Sequence, residues 1–182
     1  FSFEFQGDKY TFEVPVNRQA VEYFKTVPQL ELANYFRHLP TGGAESRLLD
    51  QLRQEMQGMN FQTSVKFLLN FVQNGFKYKT DPQQFGAENY LVPVETLHYP
   101  YCDCEDRALL FTWLVRKILN RRVIGLDFPG HVAAAVEFPS TPPGFYFRVE
   151  KRPFVITDPT YINAGPGEIM PQYKNKQPGL LY

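Results

Sequence analysis

Residues 104–119 constrain the fold more than any other stretch, because they predict a helix that is apolar on nearly every side. A helix without a polar face has to lie in the middle of a domain, where all of its sides are covered. Cys104 opens this helix, and Cys102, the other of the chain's two cysteines, lies in the polar segment just before it. The segment YCDCEDRALLF therefore places both thiols at the start of a central helix.

The elements on either side of this helix indicate an α+β fold. Residues 1–16 alternate aromatic and polar side chains around a Gly7-Asp8 turn, which is typical of a β-hairpin. Apolar spacing predicts helices in the ranges 17–38 with a break at Pro28, 44–57 after a loop at 40–43, and 63–73 with Asn74-Gly75 as C-cap. After an irregular stretch, 76–103, and the central helix, strands are predicted at 123–128, 131–138, 145–149 and 154–157, followed by an irregular tail.

The chain shows no internal repeat and no linker that would divide it, so we expect one domain over residues 1–182. Its parts are a hairpin at 1–16, a helical part at 17–75 and a core that carries the chemistry at 76–182. The first residues contain no initiator Met, no basic region and no cleavable apolar segment. We therefore expect a mature form or an excised domain, whose compartment its first residues do not reveal.

Composition excludes several classes of protein. Nineteen basic residues balance nineteen acidic ones, so we expect no nucleic-acid footprint. No apolar run approaches the roughly 20 residues that cross a bilayer, so we expect no membrane-spanning segment. Two cysteines cannot form a disulfide framework, and the aromatic-rich core has to stabilise the fold by itself.

The position of Cys104 at a helix start favours a nucleophilic role. Unpaired backbone N–H groups and the helix dipole at an N-terminus stabilise the reactive thiolate. Glu105 and Asp106 in the first turn oppose it, so the thiol needs a histidine partner. We interpret Asp106 as structural, as an acceptor of hydrogen bonds in the first turn.

His131 and Asp158 are the predicted partners of Cys104. His131 follows a Pro-Gly turn and opens a strand with three alanines, which leave room for a close neighbour. His38 ends a predicted helix, and His98 lies in the irregular stretch. Asp158 directly follows a strand that is expected to pair with the strand of His131, so its carboxylate can orient the imidazole, as in a nucleophile-base-acid set.

Two other uses of the cysteines are weaker. A metal site of Cys102, Cys104, His131 and Asp158 has suitable atoms, but structural zinc sites usually separate paired cysteines by two to four residues. A disulfide between Cys102 and Cys104 would close a very small, strained ring. The more economical interpretation makes Cys104 the nucleophile and Cys102 a loop residue without a chemical role.

Three segments, CEDRALLF, GHVAAAVEF and DPTY, resemble in order and content the motifs of the transglutaminase-like superfamily, which is related to papain-like proteases by circular rearrangement. In that family the nucleophilic Cys opens a central helix, with Asp two residues and Ala four residues further on. Cys104, Asp106 and Ala108 have this spacing. The family's His begins a strand, as His131 does, and its acid lies in a D-P-T motif, as Asp158 does. The resemblance is best over 65–165.

The segment FKYKTDPQQFG also looks like the lead-in of bacterial members of unknown activity. The resemblance implies a transglutaminase-like, papain-like core: N-terminal helices, and a central buried helix that begins at the catalytic Cys and packs on an antiparallel sheet. It implies a thiol-dependent hydrolase, a peptidase or amidase, that cleaves amide bonds of peptides or proteins through a thioester. Transfer of the acyl group to an amine is the less favoured outcome, and no cofactor or metal is implied.

Departures from the family pattern keep a second function open. Cys102-Asp103 replaces the glycine that often precedes the Cys, and Glu105 replaces the tryptophan that follows it in animal cross-linking enzymes. With no clustered calcium ligands in the sequence, calcium-dependent cross-linking is not expected. The alternative is a transglutaminase-like module without catalysis that serves protein binding or assembly. For an active enzyme, the oxyanion donors are expected to be the Cys104 N–H and a group from His98, Tyr99 or Tyr101.

Overall fold

The computed structural model describes residues 1–39, 46–141 and 143–182, so the loop expected at 40–43 and the start of the helix expected from 44 lie outside the described residues. The first part of the chain contains β1 (Ser2–Phe5), β2 (Asp8–Thr11), α1 (Arg18–Phe24), α2 (Leu32–Arg37), α3 (Ser46–Glu55) and α4 (Phe61–Gly75). Short elements follow: β3 (Lys77–Tyr78), α5 (Asp81–Gln84), α6 (Pro93–Thr96) and β4 (Tyr101–Cys102). The last part contains α7 (Cys104–Leu114), β5 (Val123–Phe128), β6 (His131–Glu137), β7 (Tyr146–Val149), β8 (Arg152–Thr157) and β9 (Gly179–Leu181).

The central helix is α7, as predicted from its apolar faces. Every residue of α7 except Glu105 is buried, and α7 packs against β6 on one side and α4 on another. A π-helical turn, Val115–Leu119, continues it and ends at Asn120, which adopts a left-handed conformation. The start of α7 is thereby held rigidly between the helical part and the sheet.

The sheet is antiparallel, with the strand order β7-β8-β6-β5-β9. Because β6 and β8 run in opposite directions, the first residue of β6 lies near the end of β8, with Ala134 opposite Thr157. The α+β class and the packing of a Cys-opened buried helix on an antiparallel sheet are confirmed.

The ends of two predicted elements were wrong by a residue or more. The hairpin turns at Gln6-Gly7, where both residues have positive φ, rather than at Gly7-Asp8. Helix α4 includes Asn74 and Gly75 and ends at an extended Phe76, so glycine does not cap it. The guanidinium of Arg107 instead donates to the backbone carbonyls of Gln73 and Phe76 at this helix end.

The stretches expected to be irregular contain short elements. Within 76–103 the parallel pair β3 and β4 and the single turns α5 and α6 wrap the start of α7. In the tail, β9 adds to the free edge of β5, with Leu180 opposite Leu126. Elements of two to four residues carry too little periodicity to be recognised, since their neighbours provide most of their stabilising contacts.

None of the helices in the described residues has the length and apolar character that crossing a membrane requires.

Candidate active site

Cys104 is the first residue of α7, with Asp103 as N-cap. The Asp106 carboxylate accepts a hydrogen bond from the Asp103 backbone N–H at 3.3 Å and another from the Leu91 N–H at 2.7 Å. Asp106 is fully buried. It therefore holds the first turn of α7 against the preceding segment, which agrees with the structural role inferred for it.

His131 and Asp158 form a buried pair at the edge where β6 begins and β8 ends. His131 Nε2 lies 2.8 Å from Asp158 Oδ2, and both side chains are almost completely buried. The other carboxylate oxygen, Oδ1, accepts hydrogen bonds from the backbone N–H groups of Thr160 and Tyr161. With Nε2 occupied by the carboxylate, Nδ1 is the ring nitrogen left for proton exchange with another group.

The thiol of Cys104 lies at the same edge of the sheet. The backbone N–H of Val132, the residue after His131, hydrogen-bonds to the Cys104 sulfur. Cys104 thus begins the helix that packs against β6, and β6 begins with His131, whose ring contacts Asp158 after β8. A nucleophile, a base and an orienting acid are the components that acyl transfer requires.

The electrostatics of Cys104 oppose thiolate formation. Its thiol donates a 2.9 Å hydrogen bond to Oε2 of Glu105. Burial first, and then the Glu105 charge and this hydrogen bond, raise the pKa of Cys104, while the Val132 N–H lowers it. Burial likewise raises the pKa of Glu105 to about 7. The thiol is therefore neutral near pH 7 as long as Glu105 stays beside it.

Two tyrosines complete the site, and the sequence analysis missed both. Tyr173 stacks on His131, with ring centroids 5.1 Å apart and an interplanar angle of 13°. Tyr78, in β3, lies beside Cys104, and burial followed by the Cys104 charge raises its pKa. Tyr173 lies in the tail and Tyr78 far before Cys104, so no local pattern connects either residue to the predicted site.

The three side chains expected to supply an oxyanion donor make contacts elsewhere. His98 is exposed and packs edge-on against Tyr99. Tyr99 in turn packs against Phe85, and the Tyr101 ring lies under the ammonium of Lys79.

Cys102 is a buried, reduced thiol apart from the site. Both cysteines are free, so no disulfide joins them. Its sulfur is 3.9 Å from the Lys77 carbonyl oxygen, and burial raises its pKa to about 12. Cys102, Cys104, His131 and Asp158, considered above as a zinc site, are not among the described residues whose ligand atoms lie close enough together to bind one metal ion. A different set of residues meets that condition.

That set consists of Asp81, Asp103 and Asp106, whose carboxylate oxygens approach within 4.8 Å of one another. All three are buried, and Oδ1 of Asp103 has no hydrogen-bond partner. Oxygen donors of this kind suit a hard cation such as Ca²⁺ or Mg²⁺. Protons also relieve the repulsion: burial raises the pKa of Asp81 to about 7 and that of Asp106 well above its ordinary value. The cluster was not apparent from the sequence because Asp81 is distant from the other two.

No protein-family model matches the chain, and no curated protein matches it. The solved structures that are similar to it include the following two. A protein of Cytophaga hutchinsonii, named as a candidate cysteine protease, is 17% identical with a TM-score of 0.47 over 76% of this chain and 46% of its own length, so the chain spans less than half of it. LapG of Legionella pneumophila is 15% identical with a TM-score of 0.47 over 86% of this chain and 84% of its own. At these values neither likeness assigns an activity to the chain.

Proposed function

We propose that this protein is a thiol-dependent hydrolase of amide bonds in peptides or proteins, a peptidase or amidase. The observation that carries the proposal is the buried pair of His131 and Asp158, with Nδ1 of the imidazole free, beside a cysteine that opens a buried helix. A buried histidine hydrogen-bonded to a carboxylate is the arrangement that a general base beside a nucleophile requires. We assign the activity to one domain over residues 1–182.

The proposed reaction uses Cys104 as nucleophile and His131 as base and acid. The imidazole takes the thiol proton, the sulfur attacks the amide carbon, and a carbon–sulfur bond forms. The imidazolium, stabilised by Asp158, then gives its proton to the leaving nitrogen as the carbon–nitrogen bond breaks. Water, deprotonated by the same imidazole, hydrolyses the thioester and restores the thiol.

The oxyanion of each tetrahedral intermediate needs donors beside the sulfur. The Cys104 backbone N–H, which opens α7, is one donor at the positive end of the helix dipole. We propose the Tyr78 hydroxyl as the second, in place of the three side chains expected from the sequence, because Tyr78 lies beside Cys104. The Tyr78→Phe variant, which keeps the ring, should lower kcat by about tenfold to a hundredfold.

Digestion of a peptide library, with products identified by mass spectrometry, tests the proposal. Wild-type protein should release amide-cleavage products, and Cys104→Ser and His131→Asn should abolish them. Asp158→Asn, which is close in shape, should lower the rate by about a hundredfold or more. Added amine separates hydrolysis from transfer, since only transfer yields a new amide. Absence of products from folded wild-type protein, with or without amine, would exclude the proposed activity.

A module without catalysis is the second candidate, and the hydrogen bond between Cys104 and Glu105 favours it. A thiol held neutral by a carboxylate reacts slowly. Site-resolved alkylation with iodoacetamide distinguishes the candidates, because a base should accelerate it. In the enzyme, His131→Asn should slow alkylation of Cys104. In a binding module the substitution should leave the rate unchanged.

A further inference from the structure

Arg107 is a buried cation that forms no ion pair with an acidic side chain among the described residues. Its side chain lies one turn beyond Cys104 on α7 and is 2% exposed. Within the described ranges, none of the ion pairs includes Arg107. Guanidinium groups remain charged in proteins, so burial without an anion leaves most of the desolvation cost in place.

The protein contacts of Arg107 satisfy its guanidinium only in part. Nη2 donates to the Phe76 carbonyl at 2.8 Å and Nη1 to the Gln73 carbonyl at 3.5 Å, both at the end of α4. The negative end of that helix dipole offers only about half a charge. The Tyr78 ring also contacts the guanidinium, with its centroid 5.4 Å from the guanidinium carbon. Nε is buried and has no hydrogen-bond partner among the described residues. Capping α4 therefore explains part of this side chain's position and leaves one donor unused.

A second unused polar group faces the same cleft. Arg107 lines a cleft of about 440 Å³ with Gln73, Phe76, Tyr78, Thr160 and Ile162. The Thr160 hydroxyl is buried and has no hydrogen-bond partner. Both atoms are covered and unpaired among the described residues, and both belong to residues that line this cleft. Once a ligand displaces that cover, a guanidinium N–H and a hydroxyl form a donor set suited to a carboxylate, which has only acceptors to offer.

The cleft adjoins the proposed catalytic residues. Its wall residue Tyr78 lies beside Cys104, and its wall residue Thr160 donates its backbone N–H to Asp158 at 2.9 Å. Side chains one helical turn apart, such as Cys104 and Arg107, have Cβ atoms about 5–6 Å apart. The guanidinium carbon of Arg107 lies 5.4 Å from the centroid of the Tyr78 ring, and Tyr78 also neighbours Cys104. A carboxylate bound at Arg107 therefore belongs to a residue close in sequence to the bond that Cys104 attacks.

We propose that this cleft is a carboxylate-binding subsite, in which Arg107 and Thr160 bind a substrate carboxylate close to the scissile amide. This inference deepens the proposed function. It rests on that function because the bound peptide is a substrate only if the protein cleaves it. Two sources present the same chemistry: the free C-terminus of a peptide, which would make the enzyme a carboxypeptidase, and an Asp or Glu side chain within a longer chain.

Binding to the Cys104→Ala protein tests the subsite without any turnover. The probes are three N-acetylated dipeptides: dialanine as the free acid, dialanine amide, and alanyl-glutamate with an amidated C-terminus, whose side chain carries the carboxylate. NMR titration should give an affinity for at least one carboxylate-bearing probe that is ten times or more that for dialanine amide. Tight binding of the free acid points to a C-terminus, and tight binding of the glutamate probe points to a side chain. Equal affinity for all three probes overturns the proposal.

Substitution of Arg107 itself risks unfolding, because this residue also caps α4. Variants at the mouth of the cleft therefore test where the carboxylate binds. Ile162 is 44% exposed and lines the cleft, so Ile162→Glu adds a repelling charge and Ile162→Gln provides a matched neutral control. Ile162→Glu should weaken binding of the carboxylate probe at least fivefold and leave dialanine amide unchanged, while Ile162→Gln alters neither. Thr160→Val, of equal size, should also weaken only the carboxylate probe. If Ile162→Glu and Ile162→Gln act alike on the carboxylate probe, the carboxylate does not bind in this cleft.

The two proposals fail separately. Carboxylate-selective binding without amide cleavage would retain the subsite and exclude the enzyme. Amide cleavage without carboxylate selectivity would retain the enzyme and exclude the subsite.

Discussion

The Cys104 thiol donates a 2.9 Å hydrogen bond to the carboxylate of Glu105, the next residue of the chain. This contact holds the proton on the sulfur, because a thiolate would face the carboxylate charge at close range. We therefore expect the reactivity of Cys104 to depend on the charge and position of Glu105 as well as on the proposed base, His131.

Glu105→Gln should accelerate alkylation of Cys104. Loss of the carboxylate lowers the pKa of the thiol, and each unit of pKa increases the thiolate fraction near pH 8 about tenfold. Iodoacetamide rates measured against pH, with Cys104 and Cys102 resolved by mass spectrometry, give the shift. Glu88→Gln is the control, since this exposed carboxylate has no hydrogen bond to Cys104 among the described contacts. An unchanged pH profile for Cys104, or acceleration confined to Cys102, would contradict the role assigned to Glu105.

Tyr173→Ala should slow every process that requires His131. The tyrosine ring stacks on the imidazole, and its loss lets the base leave its position, which costs roughly tenfold to a hundredfold in rate. Tyr173→Phe keeps the ring and should stay near the wild-type rate. Ile169→Ala removes packing from the same part of the core and controls for lost stability. Equal rates for Tyr173→Ala and Ile169→Ala, by alkylation or by peptide cleavage, would indicate that Tyr173 contributes packing alone.

Asp81→Asn should flatten the dependence of stability on pH. Burial raises the pKa of Asp81 from 3.8 to about 7, so the folded state keeps a proton that the unfolded state loses. Below pH 4 the Asp81 carboxyl is protonated in both the folded and the unfolded state. Between pH 4 and 7 the free energy of unfolding of the wild type falls as pH rises, by on the order of 1–3 kcal/mol. Asn can still accept the hydrogen bond from the Asn89 N–H.

Urea unfolding at pH 4.5 and pH 8, with EDTA present so that no divalent cation shields the carboxylates, measures this effect. Relative to wild type, Asp81→Asn should gain stability at pH 8 compared with pH 4.5. Asp50→Asn, at an exposed carboxylate paired with Arg53, should show no such gain. Parallel pH profiles for wild type and Asp81→Asn would show that Asp81 ionises normally in the folded protein.

Gly125→Ala should destabilise the protein by about 1–3 kcal/mol, because an added methyl group overpacks the interface between β5 and α2. A Cβ at this position would lie 2.7 Å from ring carbons of Phe36, which is fully buried. Thermal unfolding should show the loss, and Phe36→Leu in the same chain should recover part of it. Gly165→Ala is the matched control, since its Cβ would meet only ordinary contacts. Equal melting temperatures for the two glycine variants would contradict the close packing described here.

Local sequence patterns predicted most of the helices and strands and the positions of the candidate site residues within them. The apolar faces of 104–119 required a central helix, and alternation identified the strands of the antiparallel sheet. Cys104, His131 and Asp158 were apparent because each lies at the beginning or end of such an element. Their catalytic role stays a prediction.

What the sequence determined by itself is the set of elements and the residues at their ends, because burial and backbone preference act over a few neighbouring residues. Only the tertiary structure decided what surrounds those residues. It brought Tyr173 onto His131, Tyr78 to Cys104, Asp81 beside Asp103, and an unpaired Arg107 to a cleft. These contacts join residues far apart in the chain, or depend on the direction of a side chain within a packed core, and no local periodicity encodes either.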